Sequence, residues 1–139
     1  ETVRSNPDFW YWDTTQKETL AVKLVRSGDA FLPLGTKSYF AENMVNAMVL
    51  CQPASRFLRP QHRITLLNNV RLNRIKSEMI HAAKNGAVYH LWWHPHNFGL
   101  DLLHAIQTLQ AIAETFKFCS ETYGMESLTM KELRDTIGS

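Results

Sequence analysis

Two long helical segments flank a short apolar segment in this sequence, and that alternation limits the fold more than any other feature. Leu66 to Lys84 carries apolar side chains at helical spacing, and Asn85-Gly86 ends it. Ala87 to Trp93 follows at once and is rich in branched and aromatic residues, which predicts a buried strand. Leu100 to Tyr123 is the second long helical segment, and Gly124 ends it. The residues predicted to face the core are Leu72, Ile75, Met79, Ala82 and Ala83 in the first helix, and Leu103, Ile106, Leu109, Ala113 and Phe116 in the second.

Shorter segments extend this pattern on both sides. The sequence predicts strands at Thr2–Ser5, Val45–Cys51 and Glu126–Leu128. Capping boxes, in which a Thr hydroxyl and a Glu carboxylate bind the first free amides of a helix, predict helices at Thr15–Ser27 and Thr129–Ile137. Strand, helix, strand, helix with short connections is typical of βα units and a parallel sheet. We therefore predict a single α/β domain over residues 1–139.

Composition narrows the class of protein. The chain is 45% hydrophobic and 20% charged, so a packed core is expected, and no apolar run reaches the roughly 18 residues that span a bilayer. The net charge is only +2, so we interpret the basic residues between Arg56 and Lys76 as solvated helix faces and expect no nucleic-acid partner. Cys51 and Cys119 lie far apart in apolar stretches, which predicts small buried thiols and favours a reducing compartment such as the cytoplasm.

Three of the six histidines lie in one segment, where the predicted strand gives way to a loop. Functional side chains of parallel sheets collect just past the carboxyl ends of strands. On a strand, four residues separate His90 from His94 by about 13 Å. A metal–nitrogen bond is about 2.0–2.1 Å long, so these two side chains cannot bind one ion together. We therefore expect His90 to be a buried or strand-start residue.

His94 and His96 lie in the loop itself, on either side of the rigid Pro95. An imidazole there can act as a general acid or base. The alternative is that both rings only bind the loop backbone and pack against Trp92, Trp93 and Phe98. Asn97 is predicted to cap the following helix. The aromatic residues are expected mainly in the core, although one of them could line a sugar-binding cleft.

Two other loops carry weaker signals. Arg4 precedes Asn6-Pro7 and the aromatic residues Phe9 to Trp12, so its guanidinium could orient a carboxylate or could simply be exposed. Ser55 to Pro60 is a third possible functional loop.

At these residues the sequence resembles the polysaccharide-deacetylase superfamily, the NodB-homology domains of carbohydrate esterase family four. Val88 to Gly99 is similar to the last catalytic motif of one branch, a hydrophobic strand that ends in a functional histidine. The long helix and Tyr123 to Met130 resemble the C-terminal end of that branch, and Arg4 resembles a degenerate arginine-and-proline motif. The likeness covers most of Arg56 to Ile137.

The resemblance implies the C-terminal portion of a deformed (β/α) barrel that removes acetyl groups from an N-acetylated glycan. In that family a divalent metal, zinc or similar, binds the attacking water, an aspartate acts as base, and a histidine protonates the leaving amine. By position that histidine would be His94, with His96 second and Arg4 as an orienting residue. We take Trp93, Asn97 and Phe98 as candidate substrate-binding residues.

The sequence departs from the family in the motifs that hold the metal and the base. Adjacent aspartates are expected there, whereas Asp8, Asp13, Asp29, Asp101 and Asp135 are all isolated. We therefore expect a missing N-terminal half, no metal bound by this chain alone, and either pairing with that half or self-association. The alternative is a noncatalytic module in which Trp92, Trp93, His96 and the Trp10–Trp12 cluster bind a carbohydrate or a protein partner.

Overall fold

The computed structural model describes residues 38, 40, 45–46, 49–50, 54–99 and 101–137, with only the backbone for 45–46 and 49–50. The predicted strand Thr2–Ser5, the predicted helix Thr15–Ser27, Arg4 and the Trp10–Trp12 cluster lie outside the described residues.

The described chain combines short strands with three helices. The strands are β1 (Val45–Asn46), β2 (Val49–Leu50), β3 (Arg56–Phe57) and β4 (Leu91–Trp92). The helices are α1 (Thr65–Lys84), α2 (Leu102–Tyr123) and α3 (Met130–Ile137), and a 3-10 turn, Pro95–Phe98, stands between β4 and α2. This part of the chain is therefore a mixed helix-and-strand structure that is mostly helical.

A parallel pair of strands joins the two long helices. β3 and β4 pair in parallel, with Arg56 opposite Leu91 and Phe57 opposite Trp92. The pairing continues past the strand ends, because the amide of Leu58 donates to the carbonyl of Trp92 over 2.9 Å. Each strand leads into a loop and then a helix, which confirms the predicted parallel βα arrangement as a two-stranded pair. The described residues show no barrel.

The core lies between this strand pair and the adjacent helices α1 and α2. Ile75 and Met79 of α1 are buried there, together with Leu58 after β3 and Ile112 and Cys119 of α2. The predicted core face of α1 is confirmed, with Leu72 and Ala83 half-buried at its edges. Cys119 is fully buried with a free thiol, and burial raises its pKa, as expected of a cysteine that serves as a small hydrophobe.

The predicted core face of α2 was wrong in part. Leu103 and Ile106 are 66% and 44% exposed, and Ala113 is also exposed. The buried positions are Ala105, Ile112, Thr115 and Cys119. Apolar residues surround much of this helix, so their spacing fits more than one inward face, and packing against α1 selects one of them.

Three predicted segments differ in the structure. Val45–Cys51 was predicted as one strand, but it contains two strands that pair antiparallel with each other, Val45 with Leu50 and Asn46 with Val49. Glu126–Leu128 has no strand pairing and runs as irregular backbone into α3. Ala87–Trp93 pairs only at Leu91–Trp92 and in one bridge at Val88, and most of it is half-buried rather than buried.

The helix ends follow the sequence closely. Gly86 and Gly124 have φ of 61° and 70°, the left-handed region that glycine enters without strain. The Thr129 capping box is confirmed, because the Thr129 amide donates to Glu132 Oε2 over 2.7 Å and the Glu132 amide donates to Thr129 Oγ1 over 3.2 Å. These hydrogen bonds hold the pKa of Glu132 below its usual range.

A buried carboxylate connects α1 to the strand pair. Glu78 Oε2 accepts from Arg56 Nε over 3.0 Å and from the Tyr89 hydroxyl over 3.1 Å. Its other oxygen, Oε1, accepts from Arg74 Nε over 3.0 Å and also contacts Arg56. The Glu78 and Arg74 side chains are only 5% and 7% exposed. Glu78 therefore joins α1 to Arg56 of β3 and to Tyr89, which lies shortly before β4.

Replacing Glu78 by Gln should strongly destabilise the protein. The amide leaves the buried guanidinium groups of Arg56 and Arg74 without this carboxylate, and breaking a buried pair on one side costs roughly 3–5 kcal/mol. The measurement is the free energy of unfolding in urea. The control is Glu121→Gln, because Glu121 meets Lys117 over 3.8 Å on the exposed face of α2. Its effect should stay within about 0.5 kcal/mol, and equal losses for the two variants would contradict the role given to Glu78.

Tyr89 should make stability fall at alkaline pH. Burial and the neighbouring Glu78 charge raise the pKa of its phenol, so the folded protein holds this proton more tightly than the unfolded chain. The contribution is present below the unfolded value of about 10 and is lost as the pH rises above it. In Tyr89→Phe, urea unfolding should vary less with pH between about 10 and 11 than in the unchanged protein. Parallel pH profiles would rule out this linkage.

Candidate functional site

The carboxyl ends of β3 and β4 lie side by side, and the residues that follow them form the candidate site. His94 comes two residues after β4 and is exposed, with φ −98° and ψ 138°, and it caps the 3-10 turn. This imidazole therefore lies at the carboxyl edge of the parallel strands, as expected, and it is exposed. In a parallel sheet this edge is where loops gather catalytic and binding groups.

Aromatic contacts fix the ring of His94. It packs edge-on against Trp92 with ring centroids 5.0 Å apart and against Phe57 at 5.7 Å. Phe57 and Trp92 are in direct contact at 4.5 Å, across the parallel pair. Trp92 and His94 are two residues apart, so they share one face of the extended chain. The strand register thus determines where the imidazole lies.

His96 stacks on His94. The two rings are 5.0 Å apart and nearly parallel, with an interplanar angle of 13°, and both side chains are exposed. Within the described residues, no hydrogen bond reaches a ring nitrogen of either histidine. The alternative interpretation of these histidines is thus borne out in part: His94 packs against Trp92, whereas neither ring binds the loop backbone in this part of the chain.

The 3-10 turn holds the two histidines in place. The Asn97 amide donates to the His94 carbonyl over 3.0 Å, and the Gly99 amide donates to the His96 carbonyl over 3.1 Å. Asn97 was predicted to cap the following helix, and this was wrong. Its side chain is buried and donates through Nδ2 to the Leu58 carbonyl over 3.4 Å, so it joins the turn to the segment after β3.

The cap of α2 is Asp101 instead. Its Oδ1 accepts from the His104 amide over 3.3 Å, and its Oδ2 lies 2.8 Å from His104 Nδ1. These contacts with His104 hold the pKa of Asp101 below its usual range. Pro95–Phe98 forms the 3-10 turn and is not the first turn of α2. The helix therefore begins later than expected, and its N-cap is Asp101 and not Asn97.

The tryptophans belong to two separate ring clusters. Trp92 is half-buried against Phe57 and His94, whereas Trp93 is 42% exposed and packs edge-on against the half-buried ring of Phe98 at 6.3 Å. Neighbouring residues of an extended chain point to opposite faces, which explains the separation. Trp92 and Trp93 therefore do not form the single platform that a noncatalytic module would use. Trp93 and Phe98 remain together as candidate substrate contacts.

His90 lies immediately before β4, away from this site. Its amide donates to Ser55 Oγ over 3.0 Å, and its Nδ1 is buried without a hydrogen-bond partner in the described residues. His90 lines an open cavity of about 590 Å³ at the amino end of β4, which is also lined by residues at the ends of α1 and α2 and by Gly124–Leu128. Neither His94 nor His96 is among the residues that line this cavity.

The described residues do not supply a ligand set for the metal that the resemblance implies. They contain no group of three or more His, Cys, Asp or Glu side chains that could hold an ion. His94 and His96 do not form a chelating pair, because lone pairs in the planes of two stacked rings do not converge on one point. Among the same residues, no helix has both the length and the hydropathy required to cross a membrane.

Sequence reasoning missed the importance of Phe57 and Glu78. Phe57 was only part of the weakly marked loop Ser55–Pro60, yet its ring supports both Trp92 and His94. Glu78 falls on the apolar face of α1, four residues after Arg74, and a lone carboxylate in an apolar stripe is a signal for a buried ion pair.

Comparison with known proteins gives no relative. No protein-family model matches the chain, and neither a curated protein nor a solved structure matches it.

Asn97→Ala should loosen the turn that carries the histidines. Loss of the bond to the Leu58 carbonyl removes the only side-chain hydrogen bond between the turn and the chain after β3 in the described structure. We expect faster hydrogen exchange at the amides of Asn97 and Gly99 and unchanged exchange at Leu58, which donates to Trp92. The control is Asn69→Ala on the exposed face of α1. Unchanged exchange at position 99 would show that Asn97 does not order the turn.

Proposed function

We propose that this chain is part of a hydrolase that removes N-acetyl groups from a glycan, with His94 as the general acid. The observation that carries the proposal is the His94 imidazole, exposed at the carboxyl edge of a parallel strand pair and supported by Phe57 and Trp92. Imidazole groups are common general acids, and this one is exposed with no hydrogen bond to its ring nitrogens among the described residues.

The proposed reaction cleaves one amide bond. Water adds to the acetyl carbonyl carbon, the carbon–nitrogen bond breaks, and acetate departs. His94 in its protonated form donates its proton to the leaving nitrogen, which becomes the amine of the sugar. A general acid at this position contributes roughly 10²–10⁴-fold to the rate. His96, stacked on His94, keeps the ring in place and is the second candidate for the proton transfer.

Two aromatic side chains on the opposite face of the same segment are the proposed contacts for a sugar ligand. Trp93 is exposed and its ring is held edge-on by Phe98, immediately after β4. Aromatic faces next to polar groups are common in sugar-binding clefts. Asn97 keeps its proposed role as a substrate contact, and its buried side chain also joins the turn to Leu58.

The rest of the proposed enzyme requires residues beyond those described. We propose that β3 and β4 belong to a deformed (β/α) barrel, and that an additional segment supplies the divalent metal site and the base that activates the water. The described residues contain no cluster that could hold a metal ion, so no step of the reaction is assigned to a metal here. Arg4 keeps its proposed orienting role and lies outside the described residues.

The test is acetate release by the full-length product of the gene that encodes this chain. The probe is an N-acetylglucosamine tetramer, assayed with and without a chelator. His94→Ala should lower the rate about 100-fold or more, and His96→Ala should lower it less. The matched control is His81→Ala, because His81 is an exposed histidine on α1 and not in the turn.

A further variant, Trp93→Ala, distinguishes the proposed enzyme from the noncatalytic alternative. A noncatalytic carbohydrate-binding module would bind the tetramer saturably, release no acetate, and lose affinity with Trp93→Ala rather than with His94→Ala. Acetate release that is equal in the unchanged protein and in His94→Ala would overturn the role of His94.

A further inference from the structure

The described segment 54–99, which carries the two histidines, contains a single carboxylate. Glu78 is the only acidic residue between Glu42 and Asp101 in the sequence. Its side chain is 5% exposed and already binds Arg56 and Arg74. The described residues 54–99 therefore present no carboxylate to solvent. The nearest acid after the turn, Asp101, is already paired with His104.

Arg59 lies next to the turn that carries the histidines. It follows Leu58, whose amide donates to the Trp92 carbonyl. Arg59 therefore lies close to the place where the chain passes from β4 to His94. Together with Asn97 and Phe98 it lines a small cavity under the turn. The side chain is exposed, which leaves its guanidinium accessible to a ligand at this edge.

A second guanidinium adds to the positive charge. Burial and the charge of Arg59 lower the pKa of Arg71 on α1, which places these two groups within electrostatic reach of one another. An anion bound at Arg59 would reduce that repulsion. Arg63 is also exposed in the segment between Arg59 and α1. The exposed positive charge of Arg59 and Arg63 attracts anionic ligands to this edge.

We infer that the glycan bound beside His94 and His96 carries a carboxylate or phosphate group, and that Arg59 binds that group. This inference rests on the proposed function and narrows its substrate class. The planar fork of a guanidinium matches the two oxygens of a carboxylate or a phosphate, which a neutral sugar hydroxyl cannot do. The exposed Trp93 beside the turn favours a sugar ring over an isolated ion as the bearer of the charge.

A glycan fits these residues better than a nucleic acid. Nucleic acid binding needs a track of phosphate contacts along an extended surface, with affinity that falls steeply as salt rises. The positive charge here lies in the loop after β3, next to the turn that carries the histidines. After that turn, α2 begins with the exposed apolar side chains of Leu102 and Leu103. One anionic substituent on a sugar matches that geometry.

The experiment compares dissociation constants by calorimetry for the full-length protein. The acidic probe is a tetrasaccharide that alternates glucuronic acid with N-acetylglucosamine, and the neutral probe is the N-acetylglucosamine tetramer. We expect about tenfold tighter binding of the acidic probe, equivalent to one charge-assisted contact. N-acetylglucosamine 6-phosphate, compared with N-acetylglucosamine, tests whether a phosphate serves as well as a carboxylate.

Arg59→Gln should abolish the preference for the acidic probe and leave the affinity for the neutral probe within about twofold. Arg59→Lys should restore only part of the preference, because it keeps the charge and loses the fork. Arg134→Gln is the matched control: Arg134 is an exposed arginine of α3, paired with Asp135 on the surface. It removes the same charge and should leave all the constants unchanged.

Each outcome has a distinct meaning. Equal affinity for the acidic and neutral tetrasaccharides, or equal losses in Arg59→Gln and Arg134→Gln, overturns the inference while acetate release can still support the proposed function. Binding of a thymidine oligonucleotide as tight as that of the acidic glycan also overturns it, in favour of a general polyanion surface. Acidic-glycan binding that depends on Arg59, without acetate release, supports the inference and overturns the proposed function.

Discussion

The carboxylate of Glu78 is the interaction on which the described structure depends. It comes from α1, accepts from Arg56 of β3, from Arg74 of its own helix, and from Tyr89 just before β4. Isolated carboxylates are rarely buried, and this one is stable because every neighbour donates to it. The core lies beside it, with Ile75 and Met79 of α1 packed against Leu58, and α2 adds Ile112 and Cys119.

This anchoring has a consequence at the other end of the strand pair. Arg56 is followed directly by Phe57, and Tyr89 stands five residues before His94. Holding Arg56 and Tyr89 under α1 sets the register of β3 against β4, with Phe57 opposite Trp92. That register brings Phe57 and Trp92 under the His94 ring. The ion pair of Glu78 with Arg56 therefore helps to position His94, the proposed proton donor, through the short strands between them.

In residues 54–99, the charged residues are divided between the interior and the surface. The one carboxylate of this segment, Glu78, is buried in ion pairs. Arg59 and Arg63, in the loop after β3, are exposed next to the turn that carries the histidines. The aromatic residues divide in a similar way: Phe57 and Trp92 support the imidazole, and Trp93 with Phe98 faces the other side. Because successive residues of an extended chain alternate, His94 shares the face of Trp92, and Trp93 points to the opposite face.

Much of the local structure could be read from the sequence. Apolar spacing gave the extent of α1 within one residue, and Gly86 and Gly124 ended their helices because only a residue without a Cβ enters the left-handed region freely. The Thr129 capping box was equally local, since its two hydrogen bonds join residues three apart. The position of His94 at a strand end also followed from the order of the segments.

Only the tertiary structure decided which long-range partners these segments take. The inward face of α2, the self-pairing of Val45–Asn46 with Val49–Leu50, and the absence of strand pairing at Glu126–Leu128 depend on neighbours that periodicity does not specify. Asn97 reaches Leu58, thirty-nine residues away, instead of capping the next helix. The sequence by itself determined helix limits, turns and the place of the histidines, because those depend on nearby backbone and side chains. Packing chose the faces and the ion-pair partners, because a contact between distant residues exists only once the chain has folded.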